Sequence, residues 1–260
     1  MMDLILGYGE VGKALGEVLG ERREILIHDP KTGHIVQPVE GEEEIDWMHV
    51  CFPHSQSFKG DVCAYRSEFR PKHVVIHSTV PVGTTLQVLK QFETFQGLTY
   101  SPIRGIHPHL TRYLREFPKW FATYEDYGEV ERYFTSCGMQ VRGAPSTEML
   151  EFMKLWETTE YGYRIAMWQE IERQMEKIRK EWGLVGSWDE NLTAIKSWLF
   201  EKRKVYDGDR GLAPIMYGGV IGGHCVVQNW NLMRESGFMS PQLYRWLAES
   251  NEMRKEEMGG

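Results

Sequence analysis

The sequence predicts an α/β protein in which a doubly wound, mostly parallel sheet is followed by a helical domain with one long central helix. Three observations support this fold class. Short apolar runs alternate with helical patterns through the first half, which is typical of strands joined by crossover helices. A glycine-rich turn follows the first apolar run. From Ser146 to Trp182 the chain contains no proline, which favours a single long helix.

Composition restricts the class of protein. The chain has 260 residues, 42% of them hydrophobic, and a net charge of −7, so the basic surface typical of nucleic-acid binding is not expected. No apolar run is long enough for a membrane span or signal peptide. The widely spaced cysteines indicate reduced thiols, a cytoplasmic location and no metal site; they are Cys51, Cys63, Cys137 and Cys225.

The glycine turn has the pattern G-x-G-x-x-G, which predicts a Rossmann-like nucleotide-binding domain. The first glycine permits the turn, the second admits a pyrophosphate, and the third lets helix and strand pack closely. A second strand, Glu24 to His28, ends at Asp29, and an acid there favours the ribose hydroxyls of NAD over the phosphate of NADP. The candidate cofactor contacts in this region are Gly7, Gly9, Glu10, Val11, Gly12 and Asp29. A glycine turn that binds nothing, or another nucleotide, is the alternative.

Further strands and helices follow at the spacing of a parallel sheet. The predicted strands are Trp47 to Cys51, His73 to His77, Leu98 to Ser101, Trp120 to Ala122 and Met139 to Arg142, with helices over Thr84 to Phe95 and Tyr127 to Ser136. The short acidic connection between Asp29 and Trp47 predicts that one crossover helix is trimmed away. We expect an NAD-binding domain over residues 1–143 and a helical substrate and dimerisation domain over residues 144–260.

Two loops at strand ends are candidate contacts, because ligands bind beyond the carboxyl ends of strands in such sheets. The first is CFPHS, from Cys51 to Ser55, with Pro53 stiffening the strand exit. The second is IHSTVPVGTT, from Ile76 to Thr85, where Ser78 and Thr79 form a polar turn. Ordinary turn chemistry explains either loop equally well.

The long helix supplies further candidates. Lys154 and Thr158 are four residues apart and therefore project from the same helix face. Taken alone, a lysine on a helix is expected to be a solvated charge, and this is the ordinary interpretation of Lys154. Apolar residues near helical spacing are expected to be mainly packing positions; they are Leu150, Met153, Trp156, Tyr161, Ile165 and Trp168.

The segment GGVIGGHCVVQNW places Cys225 at the end of a glycine-rich loop. The thiol is either a nucleophile or a small buried hydrophobe. The composition does not decide between the two.

Taken together, these segments resemble the UDP-glucose, GDP-mannose and UDP-N-acetylmannosamine 6-dehydrogenase family over residues 2 to about 233. The loop STVPVGTT is similar to Ser-Thr-Val-Pro-Pro-Gly-Thr-Thr in that family, and CFPHS to its Cys-Val-Pro-Thr-Pro strand end. The helix sequence EMLEFMKLWETTEYGYRIAMWQEI and the segment IGGHCVVQN are the most specific matches.

The resemblance implies roles for residues at matching positions. Cys225 matches the nucleophile that holds a thiohemiacetal, Lys154 the lysine that stabilises an oxyanion, and Thr79 a threonine beside the nicotinamide. A thiolate near an ammonium is reactive at neutral pH. Arg104, His107 and His224 are the candidate substrate contacts.

The sequence also departs from the family pattern. Thr158 replaces an asparagine, Asn229 replaces an aspartate that could accept a proton, and Ile103 replaces a carboxylate. His107 and His109 have a spacing that could bind metal, but no third ligand is evident. Only 35 residues follow Cys225, so we expect a truncated relative without the family's C-terminal nucleotide-binding domain, for which a UDP-sugar substrate is doubtful.

We therefore expect an NAD-dependent dehydrogenase that acts on a small hydroxyl or carbonyl substrate, such as a sugar or hydroxy acid. The departures favour a two-electron reaction over full oxidation to a carboxylate. A homodimer through the long helix is expected, without a nucleic-acid or membrane partner. Two alternatives stay open: a 3-hydroxyacid or 6-phosphogluconate-type dehydrogenase, and a catalytically inactive NAD-binding regulatory protein.

Overall fold

The structure is a computed structural model that describes residues 2–37, 44–92, 97–105, 108–183, 185–206, 215–222 and 226–259, with no account of the side chains of residues 200–206. The chain divides into two compact units, one ending at Leu155 and the other beginning at Trp156. No described helix is long and apolar enough to cross a membrane.

The first unit is built on a seven-stranded sheet. Its strands are β1 (Met2–Leu6), β2 (Glu24–His28), β3 (Ile45–Val50), β4 (His73–Ile76), β5 (Leu98–Tyr100), β6 (Lys119–Thr123) and β7 (Val141–Gly143). Their spatial order is β2-β1-β3-β4-β5-β6-β7. All neighbours pair in parallel except β5 and β6, which are antiparallel with Tyr100 opposite Ala122. The predicted mostly parallel sheet is confirmed.

Helices connect and cover the strands. In the first unit they are α1 (Glu10–Leu19), α2 (Phe58–Phe69), α3 (Thr84–Leu89), α4 (Leu110–Glu116) and α5 (Tyr127–Ser136). The long helix α6 (Thr147–Trp182) begins in this unit and continues into the second, as the proline-free stretch predicts. Between β2 and β3 the described residues contain only a short 3₁₀ turn at Pro30–Thr32.

Successive strand residues point to opposite faces of the sheet, and each face has its own core. Met48 and Val74 lie in a cluster with Phe58, Val88 and Leu150, from α2, α3 and α6. Trp47, Val75 and Phe121 lie in a second cluster with residues of α1, α4 and α5, among them Leu15, Leu114, Tyr133 and Phe134. Both faces are therefore covered, and the doubly wound arrangement is confirmed.

The second unit is helical. It contains the remainder of α6 and the helices α7 (Trp188–Tyr206), α8 (Val226–Glu235) and α9 (Pro241–Glu257). Gly162 of α6 allows α8 to approach closely, because a Cβ there would lie 2.8 Å from Val226 Cγ1. Asn251 of α9 fixes the segment before α8 by accepting a hydrogen bond from the Ile221 amide and donating one to its carbonyl.

Two sequence expectations for helices are corrected. The predicted helix from Thr84 ends at Leu89, where Lys90 is its C-terminal cap. On α6, Leu150, Ile165 and Trp168 are buried, but three other predicted packing residues are 38–44% exposed, namely Met153, Trp156 and Tyr161. Apolar spacing identified the helix, but it did not determine which of its turns are covered.

Candidate cofactor and catalytic site

The glycine turn between β1 and α1 leaves room for a ligand. Gly7 has φ = +88°, and a Cβ there would lie 2.9 Å from the backbone nitrogen of Phe52. A Cβ on Gly12 would lie 2.0 Å from the Gly7 carbonyl oxygen, so the third glycine holds the helix against the turn. A Cβ on Gly9 would meet no described atom within 4 Å. The turn is therefore tight on its inner side and open at Gly9, as a pyrophosphate requires.

The open side of the turn belongs to the start of α1. Gly9 is the N-cap residue, and no described side chain caps the helix. The exposed Glu10 and the half-buried Val11 form the first turn. A helix N-terminus with this geometry favours negative charge.

Asp29 lies beside the glycine turn. Its Oδ2 accepts a hydrogen bond from the Tyr8 amide at 2.7 Å, and its Oδ1 accepts one from the Lys31 amide at 3.0 Å. These bonds fix the carboxylate at the end of β2 and retain lone pairs for other donors. The structure thus brings the predicted acid next to the predicted glycines.

The two predicted loops lie side by side because β3 and β4 are neighbours. The Ser78 hydroxyl, which is buried, donates hydrogen bonds to the carbonyl oxygens of Phe52 at 2.6 Å and Val50 at 3.3 Å. Pro53 is exposed, and Thr79 is half-buried. Ser78 therefore ties one loop to the other, while Pro53 and Thr79 remain accessible to a ligand.

A buried carboxylate attaches the second loop to α6. Glu151 Oε2 accepts a hydrogen bond from the Gly83 amide at 2.5 Å, and Oε1 accepts from the Thr85 amide at 2.8 Å and the Thr85 hydroxyl at 2.6 Å. Burial raises the pKa of Glu151 to about 7, against the effect of these donors. Lys154, half-buried, follows three residues later on the same helix. Sequence analysis missed Glu151, although its Glu-x-x-Lys spacing places both residues on one face.

Lys119, at the start of β6, is a second residue that sequence analysis missed. It lies at the carboxyl edge of the parallel strands because β6 runs antiparallel to β5. The amine is 3% exposed and donates to the carbonyl oxygens of Ser101 at 2.5 Å and Pro102 at 3.1 Å. Burial, together with the charge of Lys154, lowers the pKa of Lys119 well below its ordinary value.

The segment that Lys119 anchors leads to Arg104. Arg104 is exposed, with its guanidinium over the Phe117 ring at 5.6 Å. Ile103, which stands where the family that the sequence resembles has a carboxylate, is 5% exposed and belongs to the second core cluster. The substitution therefore serves packing at this position.

Two predicted residues meet in the second unit. Asn229 of α8 is buried, and its Nδ2 donates a hydrogen bond to the Thr158 hydroxyl of α6 at 2.8 Å. Two of the three positions at which the chain departs from the pattern of the family it resembles are thus direct partners. Both groups are neutral, whereas the resemblance implies a carboxylate at the position of Asn229.

Three predicted residues lie outside the described residues: Cys225, His107 and His224. His109, the partner of His107 in the His-x-His spacing, is exposed immediately before α4.

At the opposite, amino edge of the sheet, His73 lies between two carboxylates. Its Nδ1 is 2.5 Å from Glu125 Oε2, and its Nε2 is 3.3 Å from Glu129 Oε1. Burial opposes protonation, but the hydrogen bond and charge of Glu125, with the charges of Glu129 and Asp46, outweigh it and raise the pKa of His73. These three side chains have ligand types suited to a metal ion, yet an imidazolium satisfies both carboxylates by itself.

The raised pKa of His73 predicts a pH-dependent stability. The contribution of protonated His73 to the free energy of unfolding is fully present below about pH 6.5, the ordinary pKa of histidine. It is lost as the pH rises through the higher pKa of the folded protein. We expect wild type to lose more unfolding free energy than His73→Gln between pH 6 and pH 9 in urea titrations. Parallel curves for the two proteins would contradict the assignment.

Neither a protein-family model nor a curated protein matches this sequence. Solved structures do match. A UDP-D-ManNAc dehydrogenase from Pyrococcus horikoshii is similar with a TM-score of 0.74 and 14% identity, over 98% of this chain and 69% of that one. An NDP-N-acetyl-D-galactosaminuronic acid dehydrogenase from Methanosarcina mazei is similar with a TM-score of 0.69 and 16% identity, over 99% of this chain and 67% of that one.

A third similar structure is a Mycobacterium tuberculosis 3-hydroxyisobutyrate dehydrogenase, with a TM-score of 0.64 and 13% identity over 98% of this chain and 92% of that one. Likeness at these identities establishes the fold. The resemblance to nucleotide-sugar dehydrogenases that the sequence motifs indicated is confirmed at that level.

Proposed function

We propose that this chain is an NAD-dependent oxidoreductase that transfers hydride between NAD and the hydroxyl or carbonyl group of a small substrate. The observation that carries the proposal is the glycine turn, which is open at Gly9 and has Asp29 anchored beside it. Gly7, Gly9 and Gly12 with the first turn of α1 would hold the pyrophosphate, and Asp29 the adenosine ribose. Pro53, Ser78 and Thr79 would border the remainder of the dinucleotide.

When bound, NAD supplies the hydride acceptor for alcohol oxidation. The residues of this chain then bind and orient the substrate. Lys154 would stabilise an alkoxide by its charge, and Thr79 would hydrogen-bond the reacting hydroxyl. Arg104 would bind an anionic or hydroxylated part of the substrate.

The roles of the remaining candidates rest on their sequence matches. Cys225 is the proposed nucleophile for a thiohemiacetal, with His107 and His224 as substrate contacts. Asn229 and Thr158 bond to each other, and neither an amide nor a hydroxyl replaces a carboxylate as a base. This supports a two-electron reaction that stops at the aldehyde or ketone.

The test is turnover of a panel of nucleotide sugars, sugars and 3-hydroxy acids with NAD, followed by NADH absorbance. We expect one NADH per substrate molecule and loss of activity in Lys154→Met. Two NADH per substrate would overturn the two-electron assignment. Tight NAD binding without turnover of any compound would favour a catalytically inactive NAD-binding protein.

A 3-hydroxyacid dehydrogenase is the second candidate. It is favoured by the likeness to 3-hydroxyisobutyrate dehydrogenase, of which this chain covers 92%. Cys225→Ala discriminates between the two enzymes: a 3-hydroxyacid dehydrogenase would keep most of its activity, and an enzyme with a thiohemiacetal intermediate would lose it.

The preference for NAD gives a separate prediction. Asp29→Asn is expected to weaken NAD binding about tenfold or more, because hydrogen bonds to a charged group contribute about 1.5–3 kcal/mol. The same change should reduce discrimination against NADP, since the negative charge that repels its phosphate is lost. Calorimetric titration with both nucleotides measures this.

Asp126→Asn is the matched control, because it makes the same substitution at the N-cap of α5, where asparagine also caps well. An unchanged NAD affinity in Asp29→Asn would remove Asp29 from the cofactor site.

The homodimer and the cytoplasmic location remain predictions. Apolar side chains exposed along α6, such as Trp156, Tyr161 and Trp182, support an association through this helix. Light scattering of the purified chain tests the dimer.

A further inference from the structure

The core of the first unit contains a chain of buried polar side chains that runs from one edge of the sheet to the other. Lys119 Nζ lies 3.2 Å from His77 Nδ1, His77 Nε2 lies 3.0 Å from His49 Nδ1, and His49 Nε2 lies 2.8 Å from the Tyr133 hydroxyl. The Tyr133 hydroxyl lies 2.7 Å from Asp3 Oδ2. All five side chains are at most 5% exposed.

Each end of this chain has a distinct environment. Lys119 and His77 lie at the carboxyl edge of the sheet, where the proposed cofactor loops are. Asp3 lies at the amino edge, where Arg23 donates to it at 2.6 Å and to Asp46 at 3.2 Å. Asp46 in turn pairs with the exposed Lys72. This row of buried polar side chains therefore connects the proposed site with an ion cluster that reaches the surface on the far side of the sheet.

We propose that Lys119, His77, His49, Tyr133 and Asp3 form a proton relay through the sheet. Its distances and its donor and acceptor types allow two arrangements of hydrogens along the five side chains. In the first, Lys119 is an ammonium that donates to His77 Nδ1, both histidines carry hydrogen on Nε2, and Tyr133 donates to an Asp3 carboxylate. Every link of the relay then contains one hydrogen, but the 2.6 Å contact of His77 Nδ1 with the Ser101 carbonyl oxygen contains none.

In the second arrangement each hydrogen has crossed its own link, from the donor group to the acceptor group. Lys119 is a neutral amine, and both histidines carry hydrogen on Nδ1, that of His77 donating to the Ser101 carbonyl at 2.6 Å. Tyr133 donates to His49 Nε2, and protonated Asp3 donates to the Tyr133 oxygen. The conversion breaks one bond to hydrogen and forms one at each group between Lys119 and Asp3, so the net change is one proton from the amine to the carboxylate.

Opposing effects act on the two ends of the relay. Burial lowers the pKa of Lys119, which favours the amine. Burial also works against ionisation of Asp3, but hydrogen bonding with His49, Arg23 and Tyr133 holds the pKa of Asp3 below its ordinary value, which favours the carboxylate. Burial and the charge of Lys119 lower the pKa of both histidines, so an imidazolium is disfavoured and the proton passes through.

The other titratable groups facing the relay are few among the described residues. Lys154 and Cys51 act on Lys119, Asp46 and Arg23 act at the far end, and Cys137 acts on Tyr133. Burial raises the pKa of Cys51 to about 12, so it stays a neutral thiol. Cys137 is likewise kept protonated by burial, so no further anion competes with Asp3 for the proton.

The use of the relay rests on the proposed function. Oxidation of an alcohol to a carbonyl releases a hydride and a proton, and the neutral amine of Lys119, buried at the carboxyl edge of the sheet, would accept that proton. The relay would carry that proton away from the hydride-transfer site to Asp3, which would hold it as a buried carboxylic acid beside Arg23. In the reductive direction the same steps run backward.

The first test needs no substrate. Long-range nitrogen–proton NMR of the full chain, labelled with ¹⁵N in histidine, reports which ring nitrogen of His49 and His77 carries hydrogen. We expect the same nitrogen in both rings, and we expect Tyr133→Phe to change His77 as well as His49, because one missing link alters the whole chain. Opposite tautomers in wild type, a stable imidazolium, or a response confined to His49 would overturn the relay.

Tyr100→Phe is the matched control. Tyr100 is fully buried in the same sheet, and its hydroxyl has no hydrogen-bond partner in the described part of the chain. This variant should fold and leave both histidine signals unchanged, which separates loss of a relay link from loss of a buried hydroxyl. Lys119→Met tests the other end of the relay. This variant should change the NMR signals of His49, although Lys119 does not contact His49.

The second test uses turnover. With a substrate in hand, Tyr133→Phe should lower kcat about tenfold at unchanged KM and shift the pH profile of kcat, while Tyr100→Phe should do neither. An unaffected kcat with coupled histidine signals would show a relay that the reaction does not use. Absence of any turnover would overturn the proposed function and leave the NMR result to decide the relay.

Discussion

Gly12→Ala is expected to destabilise the first unit by about 3 kcal/mol or more and to abolish NAD binding. The added Cβ would lie 2.0 Å from the Gly7 carbonyl oxygen, and the obstacle is backbone rather than a flexible side chain. Overpacking of this kind displaces the helix from the strand. Urea unfolding followed by circular dichroism, with calorimetric titration of NAD, measures both effects.

Gly9→Ala is the control for that result. Gly9 has φ = −75°, which any residue adopts, and a Cβ there meets no described atom within 4 Å. We expect stability within about 0.5 kcal/mol of wild type, but weakened NAD binding, because the methyl group would occupy the approach of the pyrophosphate. Full NAD affinity in Gly9→Ala would show that the dinucleotide does not bind on this turn.

Glu151→Ala is expected to destabilise the protein by about 3 kcal/mol. The substitution leaves two backbone amides and one hydroxyl at the start of α3 without their acceptor, in a buried place. It also releases the loop that contains Thr79 from α6, so NAD affinity should fall with stability. Urea unfolding and NAD titration test the two effects separately.

The loss in Glu151→Ala should depend on pH. The folded pKa of about 7 is above the ordinary 4.5 of glutamate, so the contribution of Glu151 is fully present below about pH 4.5 and declines as the pH rises to about 7. Glu181→Ala is the control, because Glu181 is exposed on the same helix and pairs only loosely with Lys177 at 3.9 Å. A loss of the same size in both variants would show that the buried hydrogen bonds of Glu151 do not contribute specifically to stability.

Local patterns predicted the parts of the site that depend on neighbouring residues. The order of Gly7, Gly9, Gly12 and Asp29 identified the glycine turn and its adjacent acid, because a glycine requirement is set by the backbone within a few residues. The sequence likewise predicted the loop at Ser78 and Thr79, because polar turn residues follow a predicted strand there. These features lie together in the structure.

The residues that the sequence did not identify are those whose roles depend on distant partners. Lys119 and His77 are 42 residues apart, and Tyr133 and Asp3 are 130 apart. A histidine on a strand is usually a core residue, and a lysine before an apolar run is usually solvated. Nothing local distinguishes these residues from ordinary ones.

The sequence by itself therefore determined the fold class, the long helix and the glycine turn, since periodicity and backbone requirements are encoded over short distances. Only the tertiary structure decided that a lysine, two histidines, a tyrosine and an aspartate line up inside the sheet. The antiparallel β6 brings Lys119 to the carboxyl edge, and α5 lays Tyr133 over β1 and β3. Strand order and helix placement set the distances between these side chains. Burial strengthens the resulting hydrogen bonds, because the dielectric constant inside the protein is low.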